Sequence, residues 1–149
     1  RKWRQMRKSW YIFFFQLPWL PEKLLARGKA QPIVEAFRGS AINKELFTDE
    51  ALAPYRRAAQ KPGAIKAMLN YYRALLRTPD VRETGDAKVH VPTLVLWGEQ
   101  DIAIDIHCLD GMEEYVPDLT LKRFPDASHW VQQDVPDQVN AELEAWLGR

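Results

Sequence analysis

The stretch Val91-Pro92-Thr93-Leu94-Val95-Leu96-Trp97, closed by Gly98, constrains this chain more than any other. It is apolar at successive positions and rich in β-branched residues, the pattern of a parallel strand covered on both faces. A second strand follows in Leu119-Thr120-Leu121-Lys122-Arg123-Phe124, which alternates and stops at Pro125. Between them, residues 105–115 read as a helix closed by Val116-Pro117. Residues 136–147 read as a terminal amphipathic helix with Val139, Leu143, Trp146 and Leu147 inward. Strand, helix, strand, helix with short connections is the α/β pattern. Two parallel strands cannot cover themselves, so most of the sheet is expected from elsewhere.

Residues 1 to about 80 differ in character. Apart from a possible strand at 10–15, they are rich in helix formers. Pro21-Glu22 before Lys23-Leu24-Leu25-Ala26-Arg27 predicts a short helix with proline near its start and Gly28 just past its end. Residues 33–37 are apolar at helical spacing. Thr48-Asp49-Glu50 offers an N-cap with acids in the first turn of a helix over 51–60. Pro62-Gly63 punctuates. Residues 64–77 then place Ile65, Met68, Leu69, Tyr72 and Leu76 on one face, and Pro79 ends that helix. The chain thus divides into a helical layer, 1–85, and an α/β part, 86–149.

Composition excludes several functions. A net charge of +1 provides no field for nucleic acid or an anionic membrane. The single cysteine, Cys108, rules out an internal disulfide and a cysteine-based zinc cluster, and one free thiol fits a reducing compartment. The apolar run at 10–15 is too short to span a bilayer, and no secretory signal precedes it. A cytoplasmic location is the expectation on these grounds. The chain starts with Arg1 rather than Met, as a fragment of a longer protein would.

In open parallel sheets, catalytic groups gather at the carboxyl ends of the strands. Two polar stretches fall there: Gly98-Glu99-Gln100-Asp101 and Pro125-Asp126-Ala127-Ser128-His129-Trp130. An acid at one strand end and a histidine at the next can meet, the carboxylate orienting the imidazole and stabilising its protonated form. Asp101 precedes His129, the acid-then-histidine order of α/β-hydrolases. Taken singly, each residue has a plainer role: Asp101 as a turn residue, His129 as a structural hydrogen-bonder. Glu99 and Asp126 compete as acids but suit loops or caps better. His90 stands before the first strand, at the wrong end of the sheet, and His107 falls on the expected helix. A nucleophile elbow needs glycines four residues apart, and the seven glycines never have that spacing.

The residues also resemble a known family. Ser9-Trp10-Tyr11-Ile12-Phe13-Phe14-Phe15-Gln16-Leu17-Pro18-Trp19-Leu20-Pro21-Glu22 is similar to the opening segment of the cap of epoxide hydrolases, in the α/β-hydrolase superfamily. Leu69-Asn70-Tyr71-Tyr72-Arg73 resembles their second cap motif. Residues 92–101 resemble the acid strand, and Asp126-Ala127-Ser128-His129-Trp130-Val131-Gln132-Gln133-Asp134 through Val139-Asn140 resembles the histidine loop and last helix. The acid strand and histidine loop are shared with related dehalogenases; the tyrosine motifs are more specific.

The resemblance implies the C-terminal part of an α/β-hydrolase fold, with a helical cap followed by the last two parallel strands and helices. It implies that Tyr11 and Tyr72 hydrogen-bond an epoxide oxygen and that one protonates it. An Asp nucleophile and the oxyanion-hole donors would lie on an N-terminal half of the fold outside this sequence. His129, held by Asp101, would activate the water that hydrolyses the resulting ester. No metal or organic cofactor is expected, and the substrate would be a small lipophilic epoxide. Trp19, Trp97 and Trp130 stand between pocket wall and plain core; Trp130, with Phe14 and Trp19, makes the expected pocket set. Without the resemblance, Tyr11 and Tyr72 read as packed aromatics, Tyr71 being the neighbour most easily confused with Tyr72. Dehalogenation and ester cleavage are the rival reactions on this fold, and an inactive remnant is the non-enzymatic alternative.

Overall fold

The computed structural model describes residues 2–77 and 88–148. The expected stop at Pro79 and the 85/86 boundary therefore lie outside the described residues. Seven helices are described: α1 (Lys2–Lys8), α2 (Trp10–Phe14), α3 (Leu20–Ser40), α4 (Asp49–Ala59), α5 (Ala64–Arg77), α6 (Val131–Asp134) and α7 (Pro136–Leu147). Strands β1 (Thr93–Gly98) and β2 (Leu119–Phe124) pair in parallel, with Thr93 opposite Leu119 and Gly98 opposite Phe124. That register brings both strands to their carboxyl ends together, so the loops carrying Asp101 and His129 leave side by side.

The first half is helical because its signals are local. The Thr48 hydroxyl accepts from the Ala51 amide at 3.2 Å and starts α4 where the sequence places the cap. Gly28, at φ 55°, breaks α3 as predicted, and Lys29 and Ala30 share its left-handed conformation before the helix resumes. The resumed part buries Ile33 and Val34. Val34 packs with Ala41, Phe47 and Leu52, flanked by Phe37 and Trp130, while Ala30 and Ile33 pack with Ala59. Removing each large side chain of this kind from water contributes ~1.5–3 kcal/mol. A separate cluster of Phe124, Ala127 and Val139 closes α7 onto the end of β2.

Three expectations are corrected. Residues 10–15 form helix α2 rather than a strand; a six-residue apolar run is ambiguous by period. The helical spacing brings Tyr11 against Phe15 (ring centroids 5.6 Å) and leaves Trp10 and Phe13 exposed. The helix expected over 105–115 is instead two short 3₁₀ turns, Ile106–Leu109 and Met112–Glu114. Asp105 caps the first by accepting from the His107 amide, and Gly111, at φ 85°, separates them. In α7 only Val139 is buried; Leu143 and Leu147 are exposed rather than inward. Likewise the apolar face of α5 is buried at Leu69 but open at Met68 and Leu76. No described helix is long and apolar enough to cross a membrane.

Candidate active site

The two strand-end loops are stitched by backbone. The Glu99 amide donates to the Phe124 carbonyl and the Gln100 amide to the Ala127 carbonyl, each at 3.0 Å. So close an approach requires glycine at 98: a Cβ there would stand 2.1 Å from the Ser128 carbonyl oxygen. The loops thereby face each other, and His129 Nδ1 meets Asp101 Oδ2 at 2.8 Å. The other Asp101 oxygen accepts from the amides of Ala103 (2.7 Å) and Ile104 (2.9 Å), so this buried carboxylate is fully engaged. Burial alone would lift the Asp101 carboxyl. The His129 hydrogen bond, the two backbone donors and the nearby imidazole charge outweigh it and hold the group below the usual carboxylate range. The Asp101 hydrogen bond in turn raises the His129 pKa against its partial burial. With Nδ1 committed, Nε2 is the nitrogen left to accept a proton.

Helix α1 docks on the acid loop. Lys8 donates to the Asp101 carbonyl at 2.6 Å. The Gln5 side chain both donates to the Ala103 carbonyl and accepts from the Asp105 amide. Immediately beyond α1, helix α2 carries Tyr11. Its ring meets that of Tyr72 edge-on, centroids 5.8 Å apart at 83°, and both contact Phe15. Burial, then the neighbouring Tyr72, then the Asp101 charge push the Tyr11 phenol above its ordinary pKa. Tyr11 thus packs on Tyr72 and senses the Asp101 charge, while Asp101 holds His129. Tyr71 is exposed, its ring edge-on to that of Tyr72 with centroids 5.8 Å apart.

The other aromatics divide. Phe14 stands beside Phe15, centroids 5.9 Å apart. Trp130 lies edge-on to His129, but its face stacks on Phe37 (4.3 Å, 24°) and its Nε1 donates to Ser40 at 2.7 Å. It thus ties the histidine loop to α3. Trp19 is exposed with Lys23 over its ring. Glu99 pairs with Arg123, and His107 with Asp110, at 2.8 and 3.1 Å. Among the described residues, no cluster of three His, Cys, Asp or Glu side chains could hold a metal ion.

Sequence reasoning missed one organising residue. Buried Asp134 accepts from the Ile42 and Asn43 amides of the helical layer with one oxygen, at 3.2 and 3.0 Å. With the other it accepts from the Ser128 amide and hydroxyl, at 2.8 and 2.5 Å. It thereby fixes the residue before His129. Its partners in the helical layer are 91 and 92 positions away, so no local pattern signals this role.

Parallel strands, an acid–histidine pair at their carboxyl ends and a helical layer above are features of one class of fold. The profile described as alpha/beta hydrolase fold matches residues 6–136, and the chain belongs to that family, representing a C-terminal part of the fold. Within it, the chain is similar to epoxide hydrolases. It is 35% identical to epoxide hydrolase 1 of Caenorhabditis elegans over 99% of this chain and 37% of the relative. It is 33% identical to human epoxide hydrolase 4 over 96% and 40%. The structure of a Bacillus megaterium epoxide hydrolase in complex with an inhibitor superposes with a TM-score of 0.84 at 25% identity, over 98% of this chain and 53% of that one. The chain thus spans well under half the length of these two curated relatives.

Proposed function

We propose that this chain carries the acid–histidine pair and the two cap phenols of an epoxide hydrolase, which adds water to a small lipophilic epoxide to give a diol. Residues 1–85 act as the cap and 86–149 as the core portion beneath it. The reading is supported by the Asp101–His129 pair, at 2.8 Å, and the Tyr11–Tyr72 pair, at 5.8 Å between rings, tied through Lys8 of α1, which precedes the helix of Tyr11 and donates to the Asp101 carbonyl. A phenol whose pKa is raised stays protonated at neutral pH and can donate to an epoxide oxygen as its bond to carbon breaks. Phe14 and the His129-facing edge of Trp130 supply apolar wall; Trp19, pointing at Lys23, is left out of it.

In this reading an Asp on the N-terminal half of the fold, outside these 149 residues, attacks the epoxide carbon and forms an ester. His129 Nε2 then takes a proton from water, whose oxygen attacks the ester carbonyl, and Asp101 stabilises the imidazolium; the acyl carbon–oxygen bond breaks, and the departing alkoxide takes up that proton and leaves as the diol. The test is styrene oxide hydrolysis by the purified chain, alone and with a complementing N-terminal half from a close relative. Activity restored only by the complement, and reduced at least ~10²-fold in Tyr11→Phe/Tyr72→Phe, supports the proposal. A folded, complemented sample that cleaves an ester or a carbon–halogen bond but no epoxide overturns it.

A further inference from the structure

Arg73 is the most completely engaged cation among the described residues. Although charged, it is only 9% exposed. Its Nε donates to the Phe15 carbonyl at 2.9 Å and Nη2 to the Leu17 carbonyl at 2.8 Å. Nη1 bonds the Glu22 carboxylate at 2.7 Å and Asn70 at 3.3 Å. Phe15 is the residue that closes α2, where helical carbonyls lack partners within the helix. The guanidinium therefore caps the helix that carries Tyr11 from the helix that carries Tyr72, the residue next to Arg73. Gln16 adds a smaller tie in the same place, donating to the Tyr72 carbonyl at 3.2 Å.

We propose that Arg73 is the positioning residue of the Tyr11–Tyr72 pair; its catalytic consequence rests on the epoxide hydrolase reading above, whereas its structural consequence does not. Helix α2 has five residues, too few to persist without an external hold. A planar fork that reaches two carbonyls and a carboxylate fixes both its distance and its rotation, which a point-charge ammonium cannot. Rotation of α2 swings the Tyr11 ring directly. Arg73 touches no reacting atom in this scheme and acts through the helix it caps.

The experiment labels the complete 149-residue chain with 3-fluorotyrosine and assigns its five ¹⁹F resonances by single Tyr→Phe substitutions. Arg73→Gln should move the Tyr11 and Tyr72 resonances while Tyr55 and Tyr115 stay in place. Arg73→Lys, which retains the charge beside Glu22, should still move Tyr11. In the complemented protein, both variants should lose ~10–100-fold in kcat with KM changed less than about threefold, because a misplaced donor weakens the transition state more than binding. If Arg73→Gln unfolds, Arg73→Lys decides. Stationary Tyr11 and Tyr72 signals in the folded variant overturn the proposal, as do moved signals with unchanged kcat. A wild-type complemented protein inert toward epoxides sinks the functional reading alone, since the ¹⁹F shifts still decide whether Arg73 places the phenols.

Discussion

Replacing Gly98 with alanine tests the link between strand packing and the site. The added methyl would sit 2.1 Å from the Ser128 carbonyl oxygen and 2.6 Å from that of Ala127. Ordinary carbon–oxygen contacts begin near ~3.3 Å, so the two loops must part by about 1 Å. Both obstructing atoms are backbone, which leaves no side-chain rotation to relieve the clash. Overpacking of this kind costs ~1–3 kcal/mol. Parting the loops also weakens the bond from the Gln100 amide to Ala127, now 3.0 Å long, adding ~1 kcal/mol. The expected loss is thus about 2–4 kcal/mol, or roughly 6–12 °C in Tm for a chain of this size. Because Ser128 precedes His129, the Asp101–His129 bond should lengthen and the histidine's raised pKa should fall. Urea unfolding, paired with NMR titration of the imidazoles, reads both effects. A Gly98→Ala protein within about 0.5 kcal/mol of wild type, with His129 titrating as before, would refute the reasoning.

Three further predictions concern the acid–histidine pair and the α4 cap. Asp101→Asn should lower the His129 pKa, since its raising contact is lost while the burial that opposes protonation remains; an unmoved His129 would contradict the assignment. The pair also sets a pH dependence: the depressed Asp101 contributes stability above its unfolded value near ~4 and loses it as pH falls through the folded value. The raised His129 contributes below ~6.5 and loses it as pH rises through its folded value, so both contributions are complete together from ~4 to ~6.5. Urea unfolding across pH should show that plateau in wild type and lose it in Asp101→Asn. Thr48→Ala should cost ~1 kcal/mol by removing the cap on the Ala51 amide; equal stability would mean that the cap is idle.

Legibility in the sequence tracked the range of the interaction. The α4 cap at Thr48, the break at Gly28, the start of α5 at Ala64 and both strands were readable because each depends on residues within a few positions. The Asp101 and His129 loops were readable for a topological reason, since parallel strands deliver their carboxyl ends to one side. The failures were of two kinds. Short apolar runs such as 10–15 have no period long enough to separate strand from helix, and Gly111 divided the connection where periodicity suggested continuity. The inward face assigned to Leu143 and Leu147 failed because no described residue covers them.

The sequence by itself determined most of the helical layer and both strands, that these strands run in parallel, and that an acid and a histidine stand at their ends in hydrolase order. These follow from local propensity, capping chemistry and hydrophobic period. Only the tertiary structure decided which groups hold the site in place. Asp134 reaches Ile42 and Asn43, Lys8 reaches the Asp101 loop, and Arg73 reaches Phe15 and Leu17, across separations of 56 to 93 residues. No propensity or spacing records such contacts, because each exists only after the elements pack and each buried polar group must then find its partner.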